Sequence, residues 1–155
     1  MPDDARGGAG GGPVRPIGRM AVSFEIERAY AEGMIQHARE DAPNECCGVL
    51  AGVDGRMTKL IRAHNAENSP YRYSIESREL LKIYTEVDDA GWEIKGIYHS
   101  HTFTEAYPSP TDVRLAGWPD ALYFLVSLQD PEAPELRAYH IRDGEIEEEP
   151  LAIVG

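Results

Sequence analysis

Only two cysteines occur in 155 residues, and they are neighbours, Cys46 and Cys47. A disulfide between adjacent residues is strained, so the chain is not a disulfide-stapled secreted domain. Buried, reduced thiols in a reducing compartment are the expectation. With no other cysteine, a second, structural zinc site has no ligands, and the Pro-Cys-x-x-Cys pair of the zinc deaminases is missing. Basic residues are scarce as well: 15 Lys and Arg stand against 27 Asp and Glu, for a net charge of −12. A nucleic-acid surface needs clustered Lys and Arg, so that class of partner is excluded. The acidity is read as solubility rather than as a basic partner's imprint. No apolar run reaches the length of a membrane span, and the first residues lack the apolar core of a secretory signal. No membrane partner and a cytoplasmic location follow as expectations.

What is present fits one domain with a single substantial core, since 42% of the chain is hydrophobic and 155 residues leave no room for a second. Residues 1–19 are the exception. Gly7 to Gly12 and the surrounding Pro and Arg are too poor in apolar side chains to offset the entropy of ordering, so this segment is read as a disordered tail. Met20 is a second candidate start, and residues 20–155 form the domain. A short strand is expected over 20–25, followed by an amphipathic helix carrying Ile26, Tyr30, Met34 and Ala38. Asp54-Gly55 between Val49–Val53 and Met57–Ile61 predicts a hairpin, and Asp143-Gly144 between Leu136–Ile141 and Glu145–Glu149 predicts another. Ser77 is read as the cap of a second helix bearing Leu80, Ile83, Tyr84 and Val87 and ending near Gly91. Ile94–His101 and the almost wholly apolar Leu122–Leu128 read as strands, the latter covered on both faces. Helices between strands, with hairpins, give an α/β or α+β domain with a mixed sheet packed by helices. Tyr30, Tyr84 and Tyr123 are assigned to the core, and His37, His64 and His140 are set aside as bystanders.

The chemistry concentrates in fourteen positions, where His99-Ser100-His101 is followed after seven residues by Ser109 and then Asp112. Side chains alternate faces along a strand, so His99 and His101 point the same way and can share a cation. A catalytic zinc takes three protein ligands and keeps a fourth position open. Asp112 would complete that count. Each part has a plainer reading. Ser109-Pro110-Thr111-Asp112 is a good helix start, with Ser at the N-cap and Pro at the first helical position. A lone His-x-His is ordinarily a pair of partnered surface histidines. Together they favour a metal site, because a capping residue that is also a ligand explains why the helix begins within reach of the histidines.

His-Ser-His, seven residues, Ser, two residues, Asp, with a glutamate upstream, resembles the signature of the JAMM (MPN+) metalloproteases. Asn44-Glu45-Cys46-Cys47-Gly48-Val49-Leu50-Ala51-Gly52 and Glu105-Ala106-Tyr107-Pro108-Ser109 extend the resemblance over roughly residues 21 to 152. It implies a cytidine-deaminase-like three-layer domain and one Zn²⁺ per chain, held by His99, His101 and Asp112. It also implies Glu45 as general acid/base and Ser109 as a donor to the oxyanion. Glu40 and Glu105 are rival carboxylates. Glu45 stands out from them because it precedes a small, apolar, strand-like run where a carboxylate can be held at a buried edge. Thr102 replaces the proline that many members carry after the second histidine, which fits the branch acting on cysteine adducts of sulfur carriers better than the eukaryotic deubiquitinases.

That resemblance implies a zinc metallopeptidase that cleaves cysteine from the C-terminal glycine of a ubiquitin-like sulfur-carrier protein ending in Gly-Gly, a step of cysteine biosynthesis. Glycines let an extended tail pass where larger residues clash. Thr102, Thr104, Tyr107 and Tyr73, on the segments 102–107 and 69–74, are the expected substrate contacts. Two other readings are a deconjugase removing a ubiquitin-like modifier from lysine, and a non-catalytic scaffold of the same fold. The scaffold reading is weakened because every ligand and acid/base position is filled. Homo-oligomerisation is left open.

Overall fold

The computed structural model describes residues 24–155; the segment read as a tail and the start of the expected first strand lie outside them. The described residues form β1 (Phe24–Glu27), α1 (Arg28–Asp41), β2 (Cys47–Val53), β3 (Arg56–Ala63), α2 (Ser77–Asp89) and β4 (Glu93–His101). After these come α3 (Pro110–Leu115), β5 (Leu122–Ser127), β6 (Glu135–Arg142), β7 (Glu145–Glu149) and β8 (Leu151–Val154). Six strands make one sheet in the order β3-β2-β4-β5-β6-β7, with β4 and β5 parallel and the other neighbours antiparallel. None of the helices among the described residues is long and apolar enough to cross a membrane.

Alternation along the strands builds two cores. Cys47, Val49, Ala51, Ile97, Tyr123 and Leu125 face one way, onto Ile83 and Val87 of α2. Cys46, Leu50, Tyr98, Phe124 and Val126 face the other, onto Met34 and Ala38 of α1. The sheet is therefore buried on both sides between helices, the expected three-layer α/β arrangement, and its central strands read as apolar runs for that reason. Cys46 and Cys47 point into opposite cores, and both thiols are buried and free.

Both hairpins turn where expected, with Asp54 (φ 53°) and Gly55 (φ 77°) in one and Asp143 (φ 51°) and Gly144 (φ 80°) in the other, all in the left-handed region such turns require. Three sequence readings are corrected. Ile26 belongs to β1 rather than to the first helix, because it pairs with Ile153 of β8, a parallel strand the sequence reading did not anticipate. The pairing gives β1 a partner and lets Ile26, 1% exposed, close the α1 side of the core. Ser77 is the first residue of α2 rather than its cap; Glu76 holds that position without a side-chain hydrogen bond. Tyr84 is 46% exposed and leans on Trp118 at 5.4 Å instead of entering the core. Tyr30 is half-buried against the α1-side core, while Tyr123 is buried as expected.

One close approach fixes the middle of the sheet. The Tyr98 ring lies over Gly48 on the neighbouring strand, in the space a Cβ would fill, and its hydroxyl shares a 2.7 Å hydrogen bond with Nδ1 of buried His37 on α1. The ring is fully buried and pinned at its tip, so it cannot swing away. Gly48→Ala is expected to destabilise the protein by about 1–3 kcal/mol through overpacking, measured by urea unfolding; an unchanged midpoint would contradict the packing described.

Candidate active site

His99 and His101 end β4, at the carboxyl edge of the one parallel strand pair in the sheet, where open α/β sheets hold their ligands. Both face the α2 side, as strand alternation requires, and Asp112 arrives from α3 in the connection to β5. Its Oδ2 lies 3.1 Å from His99 Nε2 and 3.0 Å from His101 Nε2, and all three donor groups fall within 4.8 Å of one another. The same oxygen accepts from the Ser109 backbone N–H at 2.9 Å, while Ser109 Oγ accepts from the Asp112 N–H at 3.1 Å. This reciprocal capping box starts α3 and aims the carboxylate at the histidines.

Fifty-four residues separate Glu45 from His99, and strand register closes that distance. Cys47 pairs with His99 across β2 and β4. One residue earlier, the Ser100 N–H donates to the Cys46 carbonyl at 3.2 Å, and the Cys46 N–H donates to Ser100 Oγ at 2.8 Å. Continuing that register sets Glu45 opposite His101, on the same face as the ligands. Its backbone is then held from the other side, donating to the Ser69 carbonyl at 2.9 Å and accepting from Asn65 Nδ2 at 3.0 Å. Glu45 is 2% exposed and its Oε1 has no hydrogen-bond partner. The rival carboxylates lie elsewhere: Glu40 is exposed and paired with Arg62 at 2.7 Å, and Glu105 is exposed.

Burial dominates the site's electrostatics. It raises the Glu45 carboxyl from its usual 4.5 to about 8; the positive charge of His101 works against this shift and the negative charge of Asp112 adds to it. Burial also lowers His99, against the pull of Asp112. Asp112 and His101 go the other way. Burial opposes the Asp112 charge, yet its hydrogen bond to His101 and the charge of the His99 ring beside it outweigh it and hold the carboxyl well below its usual value. For His101 burial is likewise overcome, by Asp112 and by the Glu105 carbonyl, and its pKa rises. The site thus combines an ionised carboxylate between two imidazoles with a second carboxyl that keeps its proton to near neutral pH.

The donor set fits a divalent metal. Both ring nitrogens of His99 are buried without a hydrogen bond, although Nε2 stands close to Asp112. Its lone pair and the carboxylate oxygen face one small space. Zinc bonds of about 2.0–2.1 Å in a tetrahedron put neighbouring ligands about 3.3 Å apart, close to the separations seen.

Three of the expected contact residues, Thr102, Thr104 and Tyr107, lie on the segment between β4 and α3. Thr102 Oγ donates to the Pro43 carbonyl at 2.7 Å, and Tyr107 is 49% exposed beside Tyr139. Thr104 is exposed and its carbonyl accepts from Ser127 Oγ at 2.7 Å. Tyr73 stacks on His99 and also lines a cavity of about 250 Å³ that opens beside Asp112 among Ile75, Leu80, Leu115 and Trp118. His37, His64 and His140 stay outside the centre: His37 binds Tyr98, His64 is exposed, and His140 pairs with Glu149 at 2.9 Å. Two positioning contacts went unread in the sequence, the Ser100 hydroxyl on Cys46 and the buried Asn65 amide. An asparagine between a strand and a loop carries no pattern that announces such a role.

Comparison with known proteins shows the chain's family. The family profile of prokaryotic homologs of the JAB domain matches residues 27–142. The CysO-cysteine peptidase of Mycobacterium tuberculosis is 53% identical over 131 residues, covering 83% of this chain and 90% of that protein. The desampylase of Haloferax volcanii is 35% identical over 104 residues, covering 62% and 74%. A protein from Desulfitobacterium hafniense, solved in solution, superposes with a TM-score of 0.76 at 33% identity, covering 84% of this chain and 92% of that one. The chain belongs to the JAMM/MPN family, among the prokaryotic homologs of the JAB domain.

Proposed function

We propose that the protein is a zinc peptidase that hydrolyses the amide between the C-terminal glycine of a ubiquitin-like sulfur carrier and an attached cysteine, releasing cysteine in the cytoplasm. The observation that carries this reading is the pairing of a buried His99–His101–Asp112 donor set with a separate buried carboxyl, Glu45, whose proton is held to about pH 8. The 53% identity to a CysO-cysteine peptidase supports the substrate class.

His99, His101 and Asp112 would hold the zinc ion. When bound, zinc acts as a Lewis acid that polarises the scissile carbonyl and makes water acidic enough to attack near neutral pH. Glu45 takes the proton from the attacking water and delivers it to the leaving amine. Its raised pKa suits both halves of that task, since a group that gains and loses a proton near the working pH serves as base and acid in turn. Ser109 Oγ already accepts from the Asp112 N–H, so its own hydrogen is free to donate to the developing oxyanion. Thr102, Thr104, Tyr107 and Tyr73 border the path of the tail, and its Gly-Gly end carries no side chains to clash there.

A second reading, removal of a ubiquitin-like modifier from lysine, is favoured by the 35% identity to a desampylase. The same residues would act, on a larger leaving group. Purified protein supplied with zinc and a cysteine-adducted sulfur carrier is expected to release free cysteine and to cleave a lysine isopeptide more slowly. Faster cleavage of the isopeptide would select the second reading, and cleavage of neither would overturn both. Glu45→Ala should reduce turnover at least 100-fold, in line with the loss of a general acid/base.

Metal content separates enzyme from scaffold. His99→Ala and Asp112→Ala are expected to fold yet to lose a stoichiometric zinc that the parent retains, as measured by elemental analysis and circular dichroism. Variants that merely unfold would point to a structural metal.

The metal-free protein should report the Glu45 burial directly. The folded state keeps the Glu45 proton to about pH 8, whereas the unfolded chain releases it near 4.5. Between those values the folded state binds more protons, so this group's contribution to stability falls as pH rises and is lowest above about 8. Glu45→Gln cannot ionise. It is expected to gain stability over the parent from pH 5 to pH 9, by on the order of 4 kcal/mol, in urea unfolding of the metal-free forms. Parallel pH curves would disprove the burial effect.

A further inference from the structure

The two histidines are held in different ways. His101 Nδ1 donates to the Glu105 carbonyl at 2.9 Å, which fixes its tautomer and leaves Nε2 to face Asp112, as metal-binding histidines ordinarily are fixed. His99 has no such tether on either nitrogen. Its neighbour is instead a flat ring: Tyr73 lies against it with centroids 4.5 Å apart and planes inclined by 26°. A histidine ring turns about a broad, roughly two-fold torsion, and an aromatic face at stacking distance limits that turn.

Tyr73 is itself fixed by a hub. The side chain of Asn65, 4% exposed, donates through Nδ2 to the carbonyls of Arg72 and Glu45, both at 3.0 Å, and of Ser69 at 3.4 Å. Its Oδ1 accepts from Glu67 N–H at 3.0 Å and Ser74 N–H at 3.3 Å. The backbone on either side of Tyr73 is thus clamped by the amide that also holds the Glu45 carbonyl. The Ala66 N–H closes the loop by donating to the Ser74 carbonyl at 2.9 Å.

We infer that Tyr73 is a positioning residue for the metal centre: its ring face, braced by Asn65, holds His99 in its ligating orientation where a hydrogen bond holds His101. The inference rests on the metal-site reading above. It assigns the work to the ring and not to the hydroxyl, and it makes Asn65 a common anchor for a metal ligand's support and for Glu45.

Zinc affinity, measured on the full chain by competition with a chromogenic chelator, tests it. Tyr73→Phe keeps the face and is expected to bind zinc within about twofold of the parent. Tyr73→Leu and Tyr73→Met fill the space without a flat ring and are expected to bind about 10-fold more weakly or worse, the range seen when the support of a metal ligand is lost. A Tyr73→Leu or Tyr73→Met protein that folds and binds zinc within twofold of the parent overturns the inference, as does a Tyr73→Phe protein as weak as those two. Should neither aliphatic variant fold, the ring-current shift of the His99 Cε1 proton decides. An upfield shift in the metal-free parent, kept in Tyr73→Phe, supports the stack, and an unshifted resonance overturns it. His99→Ala separates the two levels. If it binds zinc like the parent, the metal site itself is misassigned; if it loses zinc while Tyr73→Leu keeps it, only the inference on Tyr73 fails.

Discussion

Because β2 and β4 run antiparallel with Cys47 opposite His99, one register decides which side chains meet. A slip of a single residue would turn Glu45 toward the α1 face while the histidines kept facing α2. The register is secured on both sides of the centre. Tyr98 over Gly48 fixes it within the sheet, and the Ser100 hydroxyl on the Cys46 N–H carries it one step past the strand's end. The distant glutamate and the strand histidines are therefore neighbours in the same sense as any cross-strand pair, and no long-range device is needed to assemble them.

Within that frame, burial pushes two carboxyls the same way, and only one of them yields. Asp112 sits between imidazoles and accepts a backbone N–H, so its charge is compensated and it stays ionised. Glu45 sits a step away with an unpartnered oxygen and keeps its proton. Neither residue type dictates this difference. It comes from which neighbours the fold places at each oxygen, and it leaves one carboxyl ionised beside another that keeps its proton.

The sequence made this donor set legible because His99-x-His101 and the capping box of Ser109 and Asp112 are local patterns, readable from alternation and helix-start chemistry without tertiary information. The hairpins at Asp54-Gly55 and Asp143-Gly144 were legible for the same reason. Glu45 required the resemblance, since the apolar run that follows it is its single local mark against Glu40 and Glu105 until the sheet buries one of the three. Strand β8 escaped notice because four residues at the end of the chain show no periodicity of their own, and their partner, β1, is equally short. Tyr84 misled for a physical reason: it lies at helical spacing with Ile83 and Val87, yet the sheet accepts only a narrow stripe of α2, and Tyr84 falls at the edge of that stripe, against Trp118. Asn65 and Tyr73 act through loop contacts that have no repeat at all.

The seven residues between His101 and Ser109 are tied down almost wholly through their main chain. The Thr104 carbonyl accepts from Ser127, the Glu105 carbonyl from His101 and the Ala106 carbonyl from the Tyr139 hydroxyl. Every amino acid supplies a carbonyl. The exposed side chains at 103, 104, 105 and 107 can therefore be exchanged while the anchoring of the histidine and the start of α3 stay as they are, whereas Thr102 also holds through its hydroxyl. Drift in sequence at the surface and constancy of the His99–His101–Asp112 arrangement are thus compatible within one short stretch.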